Sequence, residues 1–128
     1  MQLHHIGVAV TTLEEGAKQV RQYYAGQIIG ETARIHDPLQ DADLQLFELQ
    51  DGSRIELVAG KPAQCVLGKG LNLHHVCYEV QSVENAIEEW HRRGAVVVSA
   101  AKPAVLFGGR LVAFVLTPLG LLEFLNDE

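Results

Sequence analysis

Two histidine pairs carry the residues most able to do chemistry. QLHHIGVAV opens the chain at Gln2, and LNLHHVCYEV runs from Leu71 to Val80, so that Leu3, His4, His5 and Val10 reappear at one constant offset as Leu73, His74, His75 and Val80. Alternate side chains of a strand point to opposite faces. Ile6, Val8 and Val10 therefore share a face suited to packing on helices, and His5, Gly7 and Ala9 share the other. By the same parity Val76, Tyr78 and Val80 go to the helix side and His75, Cys77 and Glu79 go opposite. Two further stretches, Ile55-Glu56-Leu57 and Leu122-Glu123-Phe124, each set a carboxylate between large apolar residues, which projects it onto that opposite face. Ionised glutamate is seldom buried without a partner, because desolvating the charge costs several kcal/mol.

Two imidazoles and two carboxylates at duplicated positions make a donor set suited to a first-row divalent ion such as cobalt, nickel, zinc or manganese, with room for water or substrate oxygens. Calcium would want more oxygen ligands. Taken singly, a histidine at a strand start is ordinarily a satisfied or half-exposed residue, and glutamate on an edge strand guards against aggregation. Recurrence of both types at matching places favours an open metal site formed by His5, Glu56, His75 and Glu123. His4 and His74 fall on the helix side by parity, and His36 and His91 read as solvent-facing.

The elements that must position these groups are also duplicated. Thr11 and Thr12 precede LEEGAKQVRQYYAG, where Leu13, Ala17, Val20 and Tyr24 recur at helical spacing, predicting a helix over about 13–25. Gln81 and Ser82 precede VENAIEEWHRRG, with Val83, Ala86, Ile87 and Trp90 on one stripe and Gly94 as a stop. QIIGETARIH, DLQLFELQ and SRIELVAG read as strands in the first half, and AVVVSA, RLVAFVLT and LLEFLND in the second. Each half is thus strand, helix, strand, strand, strand. GKPAQCVLGKG, residues 60–70, reads as the joint between modules of about 1–60 and 71–128 within one domain.

Composition narrows the class. The 128 residues, 48% hydrophobic and 20% charged, describe a globular chain of single-domain length, and no apolar run approaches the ~18 residues of a membrane helix. A net charge of −6 argues against nucleic acid or an anionic membrane as partner, while leaving room for an anionic small ligand. Cys65 and Cys77 form no CxxC, so neither a disulfide framework nor a thiolate zinc site is expected. The opening MQLHHIGVAVTTLEE lacks the features of a signal peptide, and a cytoplasmic location is the expectation. Arg110, at a strand start after Phe107-Gly108-Gly109, offers a bidentate fork to an anion, and Gln45 is a further candidate for the substrate cleft.

HHIGVAV with its LEEGA helix, then RIELV, LHHVCYEV with VENAIEEW, and VAFVLTPLGLLEFL, together resemble the vicinal oxygen chelate superfamily of glyoxalases, bleomycin-resistance proteins, extradiol dioxygenases and methylmalonyl-CoA epimerases. GKGLNLHHVCYEV and LLEFLND look most like the epimerase branch. The resemblance implies an α+β fold of two tandem βαβββ modules, whose curved mixed sheet surrounds a metal-binding cleft, in a protein that forms homodimers. It implies a divalent ion on His5, Glu56, His75 and Glu123, the same four that parity selects. It further implies a small carbonyl or acyl-CoA substrate that loses an α-proton while the ion stabilises the enolate. Epimerases of this type resemble one another in a glutamate before the third strand that is proposed as a base; HDPLQDADLQLFEL offers Gln40, Asp41 and Asp43 there instead, which leaves Glu123 as the base. A glyoxalase-type lyase is the nearest enzyme alternative. A metal-free binding protein of the bleomycin-resistance type is the other, although such a protein would have no reason to keep all four ligand-type residues.

Overall fold

Apolar alternation in LHHIGVAV builds the first strand, β1 (Gln2–Ala9), in the computed structural model, which describes residues 1–128. Thr12 then caps α1 (Leu13–Tyr23) by accepting a bond from the Glu15 amide at 3.1 Å. The chain continues through β2 (Ile28–Glu31), β3 (Ile35–Asp37), β4 (Ala42–Leu49) and β5 (Arg54–Gly60) to α2 (Lys61–Gly68). Next come β6 (Leu73–Val80), α3 (Val83–Arg92), β7 (Val96–Pro103), a 3₁₀ turn at Val105–Phe107, β8 (Leu111–Thr117) and β9 (Gly120–Asn126). The fold is α+β, and no helix is long and apolar enough to cross a membrane.

The chain divides into two compact units, His5–His74 and Met1–His4 with His75–Glu128. In the first unit β5 lies between β1, to which it is parallel, and β4, to which it is antiparallel, and β2 and β3 both pair with β4. Val10, Leu13, Ala17, Val20, Phe47 and Leu57 form the core between α1 and one sheet face. In the second unit β9 lies between parallel β6 and antiparallel β8, with β7 beyond β8. Its core sets Val83 of α3 against Ala113, Val115, Leu122 and Phe124, with the Trp90 ring edge-on to Phe124 at 5.2 Å. Ser82 caps α3 as Thr12 caps α1, and the Asn126 side chain accepts the Val83 amide at 2.7 Å. Both units are βαβββ, as the duplicated sequence predicts, with the second strand of the first unit broken in two.

That break corrects the reading of QIIGETARIH as one strand. The Thr32 hydroxyl accepts the Leu46 amide at 2.9 Å and the Thr32 carbonyl accepts the Gln45 side chain at 3.1 Å, side-chain bonds to β4 that interrupt regular strand pairing. The expected joint at 60–70 is likewise largely α2, since Pro62 is tolerated in a first turn and Ala63 is buried behind it. α1 ends earlier than its stripe predicts: Tyr24 is its C-cap and is 40% exposed.

Gly16 fixes how closely α1 approaches the sheet. A methyl group there would lie 2.9 and 3.0 Å from the two Val10 methyls and 3.1 Å from a Leu57 methyl. Rotating Val10 offers no relief, because both branches are in the way and its χ1 is stiff. Gly16→Ala, which helix propensity alone would favour, is therefore expected to lower stability by about 1–2 kcal/mol in urea unfolding.

Candidate functional site

In each unit the strand register brings one histidine and one glutamate together on the face away from the capped helix. β1 and β5 run parallel with Gly7 beside Glu56, and His5, two residues earlier on the same face, reaches the carboxylate: Nε2 lies 3.6 Å from Oε2. β6 and β9 repeat the arrangement with Cys77 beside Glu123, and His75 Nε2 lies 3.2 Å from Oε1. All four residues are at most 3% exposed. The duplication extends to the other flank, where Leu46 stands beside Glu56 and Phe114 beside Glu123. Phe114 also meets the His75 ring edge-on at 5.5 Å, which helps fix the plane of the imidazole.

These spacings decide what the pairs can be. An N–H···O bond prefers about 2.7–3.2 Å, so the His5–Glu56 contact is too long for one and the His75–Glu123 contact stands at the limit. A buried carboxylate without strong compensation costs several kcal/mol. Two donors each about 2.1 Å from one ion and about 90–110° apart are themselves about 3.0–3.4 Å apart, which the two pairs match to within a few tenths of an ångström. Imidazole nitrogen with carboxylate oxygen is also the chemistry of a first-row divalent ion. The residues present fit such an ion.

Cys77 is fully buried with Ala104, Val112 and Leu125, and Phe107 packs on that cluster, so the second unit's glutamate stands beside an apolar wall. His4 meets the Phe107 ring edge-on at 5.3 Å. His36 bonds Asp43 at 2.9 Å and His91 lies 3.3 Å from the Ala95 carbonyl, both on exposed residues as expected.

Gln45 lies on the sheet face opposite Glu56. It pairs in register with Leu57 and lies two residues before Phe47, sharing its side of the strand, the α1 face. There its amide nitrogen donates to Glu31 and to the Thr32 carbonyl, at 2.9 and 3.1 Å, and Glu31 is ion-paired with Arg21. Arg110 is held by Glu79 and by the Asn126 carbonyl, to which its Nε donates at 2.8 Å, with Glu128 a further 3.7 Å neighbour. Its fork is thus engaged by a carboxylate of its own unit. Around the third strand of the resemblance, Gln40 bonds Asp37 at 2.9 Å, Asp43 is on the α1 face with His36, and Asp41 is an exposed turn residue at φ 52°. None of the three stands beside Glu56.

A profile of the Glyoxalase/Bleomycin resistance protein/Dioxygenase superfamily matches residues 4–114. The chain belongs to that superfamily. It is 28% identical over 118 residues to an ethylmalonyl-CoA/methylmalonyl-CoA epimerase of Cereibacter sphaeroides, covering 88% of this chain and 85% of the relative. Among solved structures, a hypothetical protein from Bacillus halodurans C-125 is 28% identical with a TM-score of 0.73, over 99% of this chain and 94% of that one. A methylmalonyl-CoA epimerase variant from Streptomyces coelicolor, in complex with 2-nitronate-propionyl-CoA, shares the fold at TM-score 0.75 and 18% identity, over 99% and 97% of the two chains. The Mycobacterium tuberculosis methylmalonyl-CoA epimerase does so at 0.79 and 16%, over 99% and 88%.

Proposed function

We propose that His5, Glu56, His75 and Glu123 together hold one divalent ion, cobalt, nickel, zinc or manganese, and that the protein is an epimerase or isomerase removing a proton α to a carbonyl, with an acyl-CoA thioester such as methylmalonyl-CoA as substrate. The observation that carries this reading is the repeated buried pair, His5 with Glu56 and His75 with Glu123, at the spacing of adjacent ligands. The epimerase relative from Cereibacter sphaeroides supports the reaction class. A homodimer is part of the same proposal.

A bound divalent ion supplies Lewis-acid stabilisation of the charge that develops on the carbonyl oxygen as the α-proton leaves, several kcal/mol that an α-thioester proton needs near neutral pH. The protein's own residues do the rest. Glu123 takes the proton on a carboxylate oxygen, and its strand neighbours Phe114 and Cys77 keep water from that side. His75 is braced by Phe114 and Glu56 by the β1–β5 register, so neither donor has to reorganise when substrate arrives.

The missing carboxylate at the third strand supports a second reading, a glyoxalase-type lyase working with one acid–base group, because Gln40, Asp41 and Asp43 are all placed elsewhere. Proton exchange separates the readings. Metal-loaded protein in deuterated water is expected to exchange the α-hydrogen of methylmalonyl-CoA, followed by NMR; exchange only with the hemithioacetal of methylglyoxal and glutathione would favour the lyase. No exchange with either would remove both.

A further inference from the structure

A groove of about 510 Å³ opens on the α1 face of the first unit, the face opposite Glu56, and is lined by Thr11, Glu14, Arg34, His36 and Asp43. Register builds one wall of it. His36 stands beside Asp43, and Asp43 beside Ala59, which belongs to the core under α1. His36 Nδ1 and Asp43 Oδ1 are 2.9 Å apart, and because an ionised carboxylate only accepts, Nδ1 carries the proton and Nε2 is the nitrogen left for a ligand. Arg34, two residues before His36, is exposed and is engaged by neither a hydrogen bond nor an ion pair. Arg21, Arg54, Arg93 and Arg110, by contrast, are each met by a carboxylate.

We propose that this groove binds a phosphate monoester, with the Arg34 fork on two of its oxygens and His36 Nε2 on a third. A planar guanidinium matches phosphate bidentately, and such charge-assisted bonds are the strong ones. The imidazole bond survives a change of protonation, because a phosphate monoester loses its second proton near about pH 6 and so offers either an O–H or an O⁻. Glu14 lines the same groove and repels further negative charge, which favours a single phosphate group over a di- or triphosphate. Two sources present that chemistry: a separate phosphorylated ligand, or the ribose 3′-phosphate of an acyl-CoA. Only the second source rests on the proposed substrate.

The test measures dissociation constants by calorimetry on metal-loaded protein for two pairs of probes, adenosine 3′-phosphate with adenosine and coenzyme A with dephospho-coenzyme A. Adenosine 3′-phosphate is expected to bind about 10-fold or more tightly than adenosine, and Arg34→Gln to reduce that preference to within about twofold. Arg34→Lys should keep part of the preference, since it keeps charge without the fork, and Glu14→Gln should enlarge it. Arg93→Gln removes the same charge from an exposed helical pair with Glu89 and is expected to change nothing. An Arg34-dependent preference for coenzyme A over its dephospho form assigns the groove to the substrate. Its absence, with adenosine 3′-phosphate still preferred through Arg34, assigns the groove to a separate ligand. No preference within either pair, or one that survives Arg34→Gln or is lost equally in Arg93→Gln, would overturn the site. Binding is read without turnover, so failed α-proton exchange beside an Arg34-dependent preference would count against the proposed reaction and leave the phosphate site standing.

Discussion

His75→Ala is expected to remove the metal from the whole chain, from about one equivalent to less than about 0.1, and His5→Ala is expected to do the same. If each His–Glu pair bound an ion of its own, either change would leave half of the metal, so stoichiometry by elemental analysis distinguishes a shared ion from two separate ones. The expected size follows from coordination: even partners outside the ligand shell cost about 10–100-fold in affinity when removed, and a direct ligand costs more. Stability should follow occupancy. An ion present at about 1,000 times its dissociation constant stabilises the fold by about 4 kcal/mol, so chelation of wild-type protein is expected to lower Tm on the order of 10 °C. The alanine variants should melt near the chelated wild type and respond little to chelator. Metal-free wild type that is indifferent to chelator would instead make the pairs internal braces, and His75→Ala would then unfold the protein by leaving Glu123 buried without its partner.

What the sequence could reveal about this site follows from how far each signal reaches. Alternation is local, so reading HHIGVAV and LHHVCYEV sufficed to put His5 and His75 each on the face of its strand away from the helix, and the apolar neighbours of Glu56 and Glu123 did the same for the carboxylates; all four are buried. Register is not local. Whether Gln45 stands beside Glu56 or beside Leu57 depends on pairing between β4 and β5, which the sequence of β4 alone does not encode, and the pairing puts it beside Leu57. The same limit hid the cross-strand pair of Arg54 and Glu48. Arg110 was visible as a cation at a strand start, but its Glu79 partner lies 31 residues earlier in the chain. α2 went unread because glycine and proline at its ends resemble a linker, while its one buried residue, Ala63, carries too weak a periodic signal.

The two glutamates are equivalent in the repeat but should not be equivalent in the reaction. Glu123→Gln is expected to reduce α-proton exchange about 10³-fold, whereas Glu56→Gln should cost no more than about tenfold. Each substitution keeps the side chain's size, keeps one oxygen donor and removes one negative charge, so metal affinity should fall by similar amounts and cancel from the comparison. What remains is the ability to accept a proton, which glutamine lacks. The surroundings give the direction. Glu123 is flanked in register by Cys77 and Phe114, beside the Ala104, Val112 and Leu125 cluster, where water cannot compete for the proton. Glu56 has Gly7 on one flank and Leu46 on the other, and Arg54 two residues before it on the same face. A cation there supports a carboxylate that stays an anionic ligand throughout. The decisive measurement is exchange per bound metal for the two variants side by side. Equal losses would mean that the pseudo-symmetry survives in the chemistry and that Glu123 is a ligand only; a larger loss in Glu56→Gln would move the base to the first unit.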